Sequence, residues 1–221
     1  SDLALFKEHQ PARPVELLLV PDEESGSRLS RENIEALARN AAFALVAEPA
    51  RAGGECVTSR KGTGYISMTA IGVPSHAGTD HAKGRSAIRE LAHQVLALEA
   101  MTNYTEGTTL SVGRIEGGTN RNVVPERASL ITDFRVVTKA HGERLMAAVR
   151  ALTPVTDGVR LEIEADFNRP PFERSKQVQA LFERAQRVAR VTGFDLGEVP
   201  LTGDRKSTRL NSSHLGISYA V

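Results

Sequence analysis

Val15-Glu-Leu-Leu-Leu-Val-Pro-Asp-Glu-Glu-Ser-Gly-Ser27 is the stretch on which the reading of this chain turns. Leu17–Val20 is an unbroken apolar run, the pattern of a strand buried on both faces inside a parallel sheet. Pro21 ends it, and Asp22, Glu23 and Glu24 follow at once. Open α/β sheets bind their ligands at the carboxyl ends of the strands, so three carboxylates stand where a site would form. Cations relieve their mutual repulsion. Hard carboxylate oxygens suit divalent metals, and a spare carboxylate can take a proton from a metal-bound water. A solvated acidic turn is the plainer alternative.

Working outward, Gly26-Ser27 reverses the chain, and Ser30 is placed to cap a helix over Arg31–Arg39, with Asn40 as its stop. Ala42–Val46 reads as a second short strand, followed by Glu48-Pro49. Strand, helix, strand makes a βαβ unit with parallel strands, which sets Glu48 on the same rim of the sheet as Glu24.

From Gly62 the texture changes to period two. Tyr65–Ile71, Ala128–Phe134 and Leu161–Phe167 alternate, and Thr109–Val112 supplies a fourth strand, as expected of an antiparallel sheet with one wet face. Helical stripes cover the other face: Ile88, Leu91, Val95 and Leu98 within 85–101, and Leu145, Met146, Val149 and Leu152 within 140–152. The order βαββαβ is that of a ferredoxin-like module. Ser175 then caps a helix that buries Val178, Leu181, Phe182, Ala185, Val188 and Ala189 and ends at Gly193. The expected fold class is α/β, a partial parallel-sheet catalytic domain of hydrolase type with an inserted ferredoxin-like lid. The expected domains are 1–61 (catalytic), 62–168 (lid and dimerisation), 169–203 (return to the catalytic domain) and 204–221. That last stretch turns Ser/Asn/Arg-rich and resembles a translated sequencing adapter, so it is set aside as an artefact. Ser1–Gln10 reads as the tail of a helix already under way, with an N-terminal part missing.

Bulk properties narrow the function classes. The chain has 221 residues, 40% of them hydrophobic, and a formal net charge of +1, which gives no reason to expect nucleic acid or an anionic membrane as partner. No apolar run approaches a bilayer span and no signal pattern opens the chain. The cytoplasm is the favoured compartment, though upstream sequence would decide it. The single cysteine, Cys56, excludes an internal disulfide and suits a small core position.

These motifs together resemble the dizinc aminoacylase and carboxypeptidase family, most closely its glutamate carboxypeptidase branch, with acetylornithine deacetylase and succinyl-diaminopimelate desuccinylase as relatives. The resemblance implies that Glu23 is the catalytic base, and that Glu24 and Glu48 are ligands to two zinc ions, with cobalt or manganese as alternatives. It implies that His76, in Ser75-His76-Ala77-Gly78, reaches across a homodimer formed by the lid to the partner's active site. Asn122, Arg135 and Arg169 match substrate-holding positions, Arg169 as a clamp for a free carboxylate. The implied substrate is a small acyl-amino acid or a peptide ending in a glutamate-like residue. The family's His-x-Asp segment and its late histidine ligand have no counterpart here, so this polypeptide itself is expected to be inactive.

Plainer readings stand beside each. His76 alone reads as a solvated loop histidine, Arg135 as one half of a cross-strand ion pair with Asp133's neighbours, and Asn122 as turn chemistry before Pro125. Arg169 reads as a surface residue before a Pro-Pro turn. Gly117-Gly118 is expected to be a tight turn, since no helix follows to hold a phosphate. A non-catalytic dimerisation module is the rival function; a glycosidase acid/base pair fails because Glu23 and Glu24 are adjacent.

Overall fold

The computed structural model describes residues 12–22, 27, 29–47, 54–201 and 215–218, the last four by backbone alone. The described chain divides into two units, one ending at Ala44 and one running from Leu45 to Ser218.

In the first unit the opening expectation is overturned. Residues 14–20 form no strand, and Val15, Leu17, Leu18 and Leu19 are exposed. An apolar run records what a segment is suited to bury against. Here no strand pairs with it among the described residues, so the βαβ unit is not formed. Helix α1 (Arg31–Asn40) forms as expected. Its capping differs, because the Ser30 hydroxyl makes no cap bond and donates instead to Asp22 Oδ1. Asp22 Oδ2 accepts from the backbone N–H of Leu29 at 2.8 Å and of Ser30 at 3.2 Å. The Ser30 hydrogen bond, followed by the backbone donors, holds the Asp22 carboxyl below the usual aspartate range. Asp22 is thus committed to folding its own turn.

Strand β1 (Ala44–Ala47) begins at the boundary, and β2 (Cys56–Arg60) follows. In the second unit β2 pairs parallel with β9 (Glu198–Leu201) and β10 (Leu215–Ser218), in a sheet ordered β1-β10-β2-β9. Residues 215–218, set aside on composition, therefore add a strand here. An open strand edge accepts a neighbour through backbone hydrogen bonds, whatever the side chains. Helix α4 (Lys176–Val191) is capped by Ser175 Oγ, which accepts from Val178 N, and buries Phe182 with Cys56 and Leu196. Val188 lies off that stripe and is exposed, against expectation. Cys56 is fully buried, and desolvation ahead of the nearby Glu198 charge raises its thiol pKa.

The larger sheet is antiparallel throughout, in the order β5-β7-β3-β8. Its strands are β3 (Gly62–Ile71), β5 (Thr109–Gly117), β7 (Arg127–Val136) and β8 (Arg160–Arg169). Helices α2 (Ala87–Glu99) and α3 (Lys139–Arg150) cover one face. Alternation sends Ile66, Met68, Ala70, Leu130, Phe134 and Val136 into the core, where they meet Leu91, Leu98, Leu145, Met146 and Val149. Ile88, expected on the buried stripe of α2, is exposed. Its place in the core is taken one position earlier by Ala87 and by a polar pair the pattern did not announce, Glu90 and Gln94. Glu90 Oε1 accepts from Gln94 Nε2 at 2.7 Å and its Oε2 from Thr156 N at 2.6 Å, with Val155 N shared between both oxygens. This carboxylate ties α2 to the loop that leads into β8.

Candidate functional site

Two very short strands build the first half of the site. Strand β4 (Ser75–His76) pairs antiparallel with β6 (Val123–Val124), Ser75 opposite Val124 and His76 opposite Val123. The ladder continues through Ala77 N, which donates to Asn122 O at 2.9 Å. His76 and Asn122 are thereby brought together, both exposed, beyond the Ile71 end of β3. A side chain at Gly84 would overlap Ser75 Oγ and Val124, so glycine lets the loop close over this ladder.

The chain after His76 folds back on the imidazole. Gly78 N and Thr79 N both donate to His76 Nδ1, at 3.1 and 3.2 Å. A ring nitrogen that accepts two hydrogen bonds carries no proton, so the neutral ring holds its proton on Nε2, a tautomer assigned here from the bonding. His76 is therefore arranged as a donor. These two backbone donors were missed in the sequence, where the short run Ala77-Gly78-Thr79 was their only trace; a Cβ at Gly78 would stand 3.3 Å from His76 Cε1.

The arginines stand at the opposite end of the sheet. Arg135 on β7 and Arg169 on β8 are both in register with Thr63, on either side of it. A bulge between Thr63 and Gly64 sets Arg169 opposite Thr63 while Phe167 pairs with Gly64. Without that extra residue Arg169 would share the helix-covered side with Phe167; the bulge re-aims it to the open face beside Arg135. Arg135 forms a two-pronged ion pair with Asp133 on its own strand, Nε to Oδ1 at 2.7 Å and Nη2 to Oδ2 at 3.0 Å, where the plainer reading expects a cross-strand pair. From Thr63 to Ile71 the strand spans about 26 Å at roughly 3.3 Å per residue. His76 and Asn122 thus lie far from Arg135 and Arg169 of the same chain.

Glu23, Glu24 and Glu48 lie outside the described residues. Among the described residues no group of three or more His, Cys, Asp or Glu side chains is placed to hold a metal ion. The tight turn expected at Gly117-Gly118 is not formed: Gly117 is the last residue of β5, paired with Ala128, and Gly118, at φ +78°, continues the ladder by donating from its N–H to Arg127 O at 3.0 Å, with a short strand following. No described helix is long and apolar enough to cross a membrane.

Residues 58–155 match the family model of the peptidase dimerisation domain. That match, over a two-helix antiparallel sheet, defines the class of module that the chain carries. The chain is 28% identical over 210 residues to carboxypeptidase G2 of Pseudomonas sp., covering 91% of this chain and 50% of that protein. Against human aminoacylase-1 the identity is 29% over 203 residues, covering 80% and 48%. Residues 58–155 thus match a peptidase dimerisation domain, and the chain as a whole is similar to a carboxypeptidase and to an aminoacylase. It spans about half the length of the curated relatives it matches. The fold matches that of an aminopeptidase PepT from Bacillus cereus at a TM-score of 0.60 and 21% identity, over 77% of this chain and 47% of that one.

Proposed function

We propose that the intact protein is a hydrolase that cleaves the amide bond of an N-acyl amino acid or of a C-terminal, glutamate-like residue. In this reading residues 62–168 form a ferredoxin-like lid that dimerises, inserted in a catalytic domain to which 1–61 and 169–203 belong. The observation that carries it is the separation of the two polar sets. His76 and Asn122 share a ladder at one end of the sheet, while Arg135 and Arg169 flank Thr63 at the other. A chain whose own halves stand so far apart makes a complete site by lending His76 to a second copy.

The roles follow from the donors. His76 Nε2–H donates to a carbonyl oxygen as negative charge develops on it, where loss of one donor costs about 3–4 kcal/mol. Asn122 adds a neutral donor beside it. Arg169 offers a planar fork to a free carboxylate, with Arg135 as a second cation in the same row. Two zinc ions, or cobalt or manganese, are the group the family resemblance implies, with Glu24 and Glu48 as ligands and Glu23 as base. The described residues do not fit such a centre.

The test uses the full-length parent. His76→Ala and Arg169→Ala are each inactive alone, and mixing the two restores about a quarter of wild-type hydrolysis, since random exchange makes half the dimers mixed with one intact site each. No recovery in dimers shown to have exchanged refutes the shared site. The family match over the dimerisation domain keeps a second reading in view, a non-catalytic interaction module. Variants that leave hydrolysis intact while dimerisation proceeds would favour it.

A further inference from the structure

The half of the proposed site that His76 leads carries a cation with no assigned task. Val123 N donates to Asn120 O at 3.2 Å, closing a turn with Arg121 and Asn122 at its centre. Ala77 N donates to Asn122 O at 2.9 Å, so this turn is pinned to the segment that bears His76. Arg121 is exposed at its tip. Its backbone N–H donates to Asn120 Oδ1 at 3.1 Å, and its guanidinium makes no ion pair or hydrogen bond among the described residues. The other charges of the two loops are engaged or set apart. Lys83 pairs with Asp80 at 2.7 Å, Arg85 Nη1 donates to the Ala82 and Gly84 carbonyls, and Glu126 lies past Pro125, beside the first residue of β7. A turn accepts most residue types at this position, so the fold asks for neither the length nor the charge of an arginine.

Strand register sets the distance. His76 stands opposite Val123, and Arg121 lies two residues before Val123, which puts its Cα roughly 8–10 Å from that of His76. An arginine side chain can cross most of that gap. We propose that Arg121 selects the acyl half of the substrate, binding a carboxylate that the acyl group itself carries a few carbons beyond the scissile carbonyl. This rests on the shared-site reading of the proposed function. There Arg135 and Arg169 of one copy meet the free carboxylate on the amine side, and His76 of the other copy meets the carbonyl. Arg121 travels with His76, so its charge arrives across the carbonyl from the arginine row, where the acyl chain runs. The substrate is then anionic at both ends. A guanidinium takes a carboxylate through two parallel N–H bonds, which in a partly solvated cleft favours the charged acyl group by about ten-fold.

The test uses the full-length parent and two matched probes: N-glutaryl-L-glutamate, and its neutral twin in which the acyl carboxylate is a primary amide. The readout is the ratio of kcat/KM for the charged probe to that for the neutral one. Wild type favours the charged probe, and Arg121→Gln lowers the ratio about ten-fold, mostly through KM. Arg121→Lys restores part of it, since the charge returns without the fork. A purely structural role for Arg121 slows both probes together and leaves the ratio where it was. Mixed dimers then locate the effect. With Arg169→Ala on one chain and His76→Ala on the other, the one intact site takes His76 from the first. Adding Arg121→Gln to the Arg169→Ala chain lowers the ratio, whereas adding it to the His76→Ala chain does not; equal ratios in the two pairings overturn the placement of Arg121 beside the working His76. Hydrolysis of both probes at a ratio that Arg121→Gln does not move overturns this proposal alone. No hydrolysis of either probe by wild type overturns the hydrolase reading for this class of substrate, and this proposal with it.

Discussion

Replacing Glu90 with alanine is expected to destabilise the larger sheet domain by about 2–4 kcal/mol. The carboxylate is fully buried and accepts from Gln94 Nε2, Val155 N and Thr156 N. Removing it strands two backbone N–H groups and one side-chain donor, at about 1–3 kcal/mol for each donor left buried without an acceptor, less whatever water recovers. Alanine's better helix propensity works the other way by a few tenths of a kcal/mol. Glu90→Gln fares little better, since both oxygens already accept and either orientation of the amide sets an NH2 group against a donor. Burial by itself would raise this carboxyl's pKa, but the hydrogen bonds from Gln94, Thr156 and Val155 more than offset it, so it lies below the ordinary glutamate value of 4.5. The folded pKa is depressed, so the stabilisation is complete at neutral pH and is lost as pH falls from about 4.5 through the folded value. Urea unfolding at pH 7 and at pH 3 checks both parts. A loss below 0.5 kcal/mol in Glu90→Ala at pH 7, or an unchanged pH slope below 4.5, would refute the reasoning.

A β-carbon at Gly64 would fall inside the Phe134 ring and against the Asp166 carbonyl, beneath the edge-to-face pair of Phe134 and Phe167 at 5.7 Å. Gly64→Ala is therefore expected to cost about 1–3 kcal/mol in chemical unfolding, and a wild-type midpoint would contradict that packing. Neutral His76 is expected to carry its proton on Nε2; long-range proton–nitrogen correlation spectra check this directly, and a protonated Nδ1 would remove the argument that the ring is a donor.

The larger sheet with its two covering helices was the most legible part of the chain. Tyr65–Ile71, Ala128–Phe134 and Leu161–Phe167 lie within strands of ten residues each, because a sheet with one wet face writes its period into the side chains. Both covering helices and the Ser175 cap were equally readable, since stripe and cap are local features. The site was legible only as residue types. Nothing in the sequence near Arg169 reveals the bulge that turns it to the open face, and nothing near His76 states that two amides will claim Nδ1. Leu17–Val20 misled because a continuous apolar run specifies a buried strand only when neighbours flank it. Ile88 misled because its place in the core is taken one position earlier by Ala87.

The sequence by itself determined the period of the strands and helices of the larger sheet, the cap at Ser175 that starts α4, and the motifs that carry the family resemblance, because these depend on contacts within a turn or two. Tertiary structure alone decided which end of the sheet each polar residue occupies. It also decided that a glutamate on a helix is buried to hold a distant loop. Those outcomes rest on strand register and on hydrogen bonds between segments far apart in the chain, which no local pattern records.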